Sequence, residues 1–131
     1  MDSLDALLRQ IECDEVIGKL SISPAELDSF LDLRDLPAFS SYWMELFNQV
    51  AAKKGASKTA DTEPRVAQLR ELCYRQAYSR WRSPDLAGYV SDDFGLIGDA
   101  LALGIRPPAI ERLLASYLSG VFPVRWNPTD H

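Results

Sequence analysis

Ser91-Asp92-Asp93-Phe94-Gly95-Leu96-Ile97-Gly98-Asp99-Ala100-Leu101-Ala102-Leu103-Gly104 is the stretch that decides how this chain folds. From Phe94 to Leu103, apolar or small residues fall on nearly every side of a helical wheel. A helix built from them has to be covered from several directions. Ser91, Asp92 and Asp93 read as its cap, with both aspartates at the positive end of the helix dipole. Gly104 reads as its stop. Gly95, Gly98 and Ala102 share one side and leave room for a neighbouring helix to approach. The run is too short to span a bilayer and carries Asp99. It therefore predicts a central helix near residues 92–103 of a soluble bundle.

The flanking sequence supplies the helices that cover it. Ser83-Pro84 opens a short helix reaching Tyr89, and Pro64 opens a long one ending near Arg82. Pro107-Pro108 starts the last helix, whose face is Ile110, Leu113, Leu114, Tyr117 and Leu118, and Gly120 ends it. Toward the N-terminus, Pro37 opens a helix carrying Phe39, Tyr42, Trp43, Leu46, Phe47 and Val50. Ser23-Pro24-Ala25-Glu26 is a capping box for a helix to about Leu33. Leu4, Leu7, Leu8 and Ile11 form one face of the first helix, with a break near Cys13 and a second short helix capped by Asp14. Periodicity lapses over residues 51–63, which read as a mobile loop, and residues 121–131, with Pro123 and Pro128, read as an extended tail. No segment alternates like a strand. The fold class is all-α, a single domain over residues 1–131 with six to seven helices.

Composition narrows the function. The chain has 131 residues, a net charge of −5 and two cysteines, Cys13 and Cys73, in no metal-binding or redox spacing. An acidic N-terminus and lone cysteines point to a reduced, cytoplasmic setting without a signal peptide or membrane segment. The charge is unevenly spread, with net −6 over residues 1–36 and net +5 over residues 53–82. Such a dipolar chain either pairs its own halves or steers a charged partner.

The lone histidine is His131, the last residue. Histidine acid–base chemistry, Ser-His-Asp and Cys-His arrangements and histidine metal ligation therefore have no support. No phosphate-binding or calcium-binding loop is present, and neither a cofactor nor a metal is expected. The remaining chemistry is carboxylate chemistry. Asp92 and Asp99 lie seven residues apart on one helix face, about 10 Å from each other at the helical rise. They are candidates for a metal-dependent hydrolase, or for a cap and a core-edge salt bridge.

Contact surfaces are easier to identify. Asp28, Asp32 and Asp35 belong to the acidic N-terminal segment and are candidates for meeting a basic partner surface. Arg70 and Arg80 fall within or beside the apolar face of the helix from Pro64, where buried guanidinium groups need partners. They either pair internally or form part of an interface, where arginine and aromatics are enriched. Tyr74, Tyr78 and Trp81 follow at i, i+4, i+7. The tail presents Phe122, Arg125 and Trp126 between prolines, and it either folds back to cover the core or docks on a partner as a short linear element. Residues 16–33 have the spacing of a helix-turn-helix, but the acids on the second helix oppose a phosphate backbone. Nucleic acid is not an expected partner.

The reading is a non-catalytic helical module that binds another protein with a basic surface, in the manner of accessory factors, inhibitors or immunity-type proteins. The alternatives are a carboxylate-based hydrolase and a structural homodimer.

Overall fold

A computed structural model describes residues 3–55 and 61–124. Among them are six α-helices, one short 3-10 turn and no strand: α1 (Ser3–Glu12), α2 (Pro24–Asp35), α3 (Pro37–Gly55), α4 (Glu63–Trp81), α5 (Pro84–Leu103) and α6 (Pro108–Leu118), with the turn at Ile17–Lys19. The expected all-α bundle around a central helix is what forms.

That central helix is longer than its sequence suggests. The short helix from Pro84 and the apolar one after Ser91 are a single 20-residue element, α5. Ser83 is its cap, accepting the Leu86 N–H at 3.2 Å. Ser91, Asp92 and Asp93 are consequently in mid-helix. Ser91 and Asp93 are buried, while Asp92 faces out. Gly104, at φ 72°, ends the helix as expected.

α5 packs against α1, α3, α4 and α6, most extensively against α4. Its small residues permit that approach. A Cβ on Gly95 would lie 2.8 Å from Cδ of Arg70, and one on Gly98 would lie 3.2 Å from Cδ2 of Leu69. The core gathers Leu4, Leu7 and Ile11 of α1, Leu69 and Cys73 of α4, Phe94 and Ile97 of α5, and Ile110 and Tyr117 of α6. Arg65 of α4 reaches Asp5 of α1 at 2.5 Å and ties the outer edges together.

Two boundaries differ from expectation. α3 continues through Ala51, Ala52, Lys53 and Lys54 to Gly55, so the first five residues of the expected 51–63 loop are helical. Alanine and lysine keep a helix going after it has left the core; what lapses at Ala51 is burial. Residues 56–60 lie outside the described residues, and α4 starts at Glu63. The break after α1 is real, but Asp14 adopts a left-handed φ of 56° and precedes only the 3-10 turn. Of the expected tail, residues 121–124 are non-helical, with Phe122 and Pro123 buried, and residues 125–131 lie outside the described residues.

Candidate functional site

α2 is attached to the bundle in an unusual way. Its one fully buried residue is a charged one, Arg34. Leu27, Phe30 and Leu31 are only partly covered by the core. They share a face with Arg34 at i, i+3, i+4 and i+7, so the helix turns that guanidinium into the protein. The capping box holds the other end: the Glu26 carboxylate accepts from the Ser23 N–H at 3.3 Å and from its hydroxyl at 2.8 Å.

Arg34 meets Asp93 of α5 through two parallel bonds of 2.8 Å. Both side chains are buried, at 3% and 0% exposure. Trp43 of α3 donates its indole N–H to the same carboxylate at 2.8 Å, and the Tyr117 hydroxyl of α6 donates at 2.5 Å. Asp93 thus accepts four bonds from three helices. Arg34 also donates to the Pro123 carbonyl at 3.2 Å. Its guanidinium carbon lies 4.3 Å from the Phe39 ring centroid, 4.7 Å from Tyr89 and 5.1 Å from Phe122, within cation–π range. Burial opposes the Arg34 charge, but the attraction and hydrogen bonds of Asp93 outweigh it and raise the guanidinium above its ordinary value. Burial, then the Asp93 charge, raises Tyr117 well above the phenol range.

Directly above this anchor, α2, α3 and α5 leave a pocket of about 200 Å³ lined by Arg34, Phe39, Ser40, Trp43, Met44, Tyr89 and Asp92. Met44 is exposed, and an apolar strip continues past it to Phe47, whose ring stacks on Trp43 at 5.6 Å. Leu36, between α2 and α3, is half exposed. The Tyr89 hydroxyl on the pocket wall donates to Asp35. That bond, with partial burial, pushes Tyr89 up to about 12.

The sequence-derived candidates divide among several places. Asp28, Asp32 and Asp35 are exposed on α2, and Asp35 touches the pocket through Tyr89. Arg70 pairs across to Asp92 of α5 at 2.7 Å, with both side chains half exposed. Tyr74 and Tyr78 are stacked on one another at 6.2 Å and partly exposed at the surface of α4, outside the core proper. Arg80 and Trp81 are used internally. Arg80 donates to the carbonyls of Ile17 and Gly18, and the Trp81 indole donates to the Ile22 carbonyl at 3.0 Å. Trp126 lies outside the described residues.

Asp92 and Asp99, the carboxylates considered for hydrolysis, each face a cation from another helix. Arg70 meets Asp92, and Lys54 lies 3.5 Å from Asp99. Burial raises Asp99, and Lys54 partly counters it. Among the described residues no group of three or more His, Cys, Asp or Glu side chains is placed to hold a metal ion.

Of the two residues at the centre of this site, Asp93 reads from the sequence as a helix cap, and Arg34 is not among the sequence-derived candidates. An arginine at the fourth position of the Leu27, Phe30, Leu31 face was the available signal.

The architecture is that of a small all-helical bundle with a closed internal salt bridge beneath an open apolar pocket and a row of surface carboxylates. Residues 6–124 match the family model of the immunity protein PIM1, and the chain belongs to this family. No curated protein and no solved structure matches it.

Proposed function

We propose that this chain neutralises a toxin protein by binding it, and that the acidic face of α2 meets a basic surface on that toxin. The observation that carries this is the exposed row Asp28, Asp32 and Asp35 on a helix whose opposite side is fixed by a buried salt bridge, in a chain of the immunity protein family. Spaced at i, i+4 and i+7, these carboxylates span about 10 Å along the helix. A row of this length favours encounter with a cationic surface and speeds association more than it sets the final affinity. No catalytic step is required of the chain, since occupying the toxin surface is sufficient. The same reading places it in the cytoplasm, where exposed Cys13 and buried Cys73 would both stay reduced.

The test is neutralisation of Asp28, Asp32 and Asp35 together as asparagines, measured against an inactivated toxin encoded in the same gene neighbourhood. The association rate falls severalfold at low salt, and its dependence on ionic strength flattens. An unchanged rate and salt slope would remove α2 from the interface.

A further inference from the structure

The pocket between α2, α3 and α5 adds a second component to that face. This inference rests on the toxin-binding reading. Its lining is almost entirely apolar or aromatic: Phe39 and Trp43 from one helix, Tyr89 from another, and the exposed thioether of Met44 at the mouth. An apolar cavity of roughly 150 Å³ holds a benzene-sized ring, so about 200 Å³ is room for one large side chain. The mouth carries negative charge. Asp35 accepts from the Tyr89 hydroxyl on its wall, and Asp28 and Asp32 are exposed on the same helix. Arg34, the cation in the lining, is already engaged by Asp93.

We propose that this pocket receives a single large apolar side chain from a basic segment of the toxin, while lysine or arginine residues beside it meet Asp28, Asp32 and Asp35. A buried anchor ringed by polar contacts is the arrangement in which interface residues contribute most to affinity. Charge selects the occupant. A second copy seated symmetrically on this face would bring two acidic α2 rows together, because a two-fold interface presents the same patch from both sides. A basic partner has no such conflict.

The experiment measures binding of the inactivated neighbouring toxin to the wild-type chain, Ser40→Trp, which fills the pocket from its rim, and Leu118→Ser, which alters an exposed apolar residue on α6. The ¹³C-methyl signal of Met44 in the wild-type chain is followed in parallel. Ser40→Trp weakens binding at least tenfold, mainly through faster dissociation, Leu118→Ser stays within twofold, and the Met44 methyl shifts on adding toxin. Wild-type-like binding by Ser40→Trp, or a Met44 signal that ignores the toxin, overturns the pocket assignment and leaves toxin binding standing. A Met44 shift driven by the chain's own concentration overturns it in favour of a second copy. A wild-type chain that does not bind the toxin removes both the function and the pocket assignment. If Ser40→Trp does not fold, the wild-type Met44 signal still decides.

Discussion

Replacing Arg34 with leucine tests whether the buried ion pair holds α2 in place. The substitution leaves Asp93 fully buried with two donors, Trp43 and Tyr117, instead of four bonds. Removing one partner of a buried pair costs about 3–5 kcal/mol, because the remaining charge is uncompensated. Asp93→Leu has a similar cost. It strands the guanidinium among Phe39, Tyr89 and Phe122 and leaves the Trp43 N–H and Tyr117 O–H without their acceptor. Removing both partners is different, since well-packed apolar residues often replace a buried pair without loss. Here the stranded indole and phenol donors remain, at roughly 1–3 kcal/mol each. The double variant is therefore about 2–6 kcal/mol less stable than wild type, against the roughly 6–10 kcal/mol that the two single losses would give if they added. The coupling energy is on the order of 3 kcal/mol or more. Urea unfolding gives these numbers as shifts in midpoint at constant slope. In a chain of this size each kcal/mol moves the thermal midpoint by roughly 3–5 °C, so the single variants fall by about 10–20 °C. Hydrogen exchange localises the effect, with α2 amides losing protection before those of α5. Single variants within about 1 kcal/mol of wild type, or losses that simply add in the double variant, would refute the account of α2 as a helix held by its ion pair.

Alkaline pH should destabilise the fold. Burial, then the Asp93 charge, raises both Cys73 and Tyr117 above their ordinary values of 9.0 and 10.0. The native state keeps these protons where the unfolded chain has lost them, so their contribution is complete below the unfolded values and is lost as pH rises through the folded ones. Tyr117→Phe flattens the fall in stability above pH 10 and lowers stability at neutral pH by about 1–3 kcal/mol, because Asp93 loses a donor; denaturant midpoints across pH 7–11 check both. Gly88 of α5 has open space where a Cβ would go, so Gly88→Ala stabilises by roughly 0.5–1 kcal/mol through helix propensity, read as a raised thermal midpoint. Gly120→Ala acts in the opposite direction. Gly120 sits at φ 80° with the Lys19 carbonyl oxygen 2.9 Å from the Cβ position, and a loss above about 1 kcal/mol is expected in the same assay.

The sequence was most legible where a local signal acts alone. Proline at the first helical position and glycine or serine at the ends placed most helix termini, and the all-round apolar run placed the centre. It was least legible where a signal has two meanings. Ser91-Asp92-Asp93 has the composition of a cap, yet α5 runs through it because Asp93 finds its donors on α2, α3 and α6 rather than at its own helix end. Ala51 to Lys54 lose apolar periodicity, which marks departure from the core and leaves the helix intact. Charge on an apolar face was read on α4, where Arg70 and Arg80 stay at the exposed edge, Arg70 bonding a half-exposed carboxylate on α5 and Arg80 bonding backbone carbonyls. The same pattern on α2 was decisive, because Arg34 alone has a buried carboxylate opposite it. That carboxylate is 59 residues away in sequence, beyond the reach of any periodicity.

The polar anchor also bears on the proposed use of the acidic row. Leu27, Phe30 and Leu31 supply α2 with partial, non-directional contact, which would tolerate rotation of the helix about its axis. The bidentate Arg34–Asp93 bond does not tolerate it, since two parallel N–H···O contacts fix both distance and plane. Asp28 and Asp32 project from the side of α2 away from Arg34 by helical geometry, so fixing the guanidinium fixes the direction of the carboxylates. The Trp43 indole, bound to the same Asp93, is likewise held as a wall of the pocket beside them. One buried carboxylate thus sets the relative positions of a charged row and an apolar cavity on two different helices. A surface ordered in advance loses less conformational freedom on binding. A salt bridge that contributes little net stability against an apolar alternative can therefore still be the feature on which the proposed recognition depends.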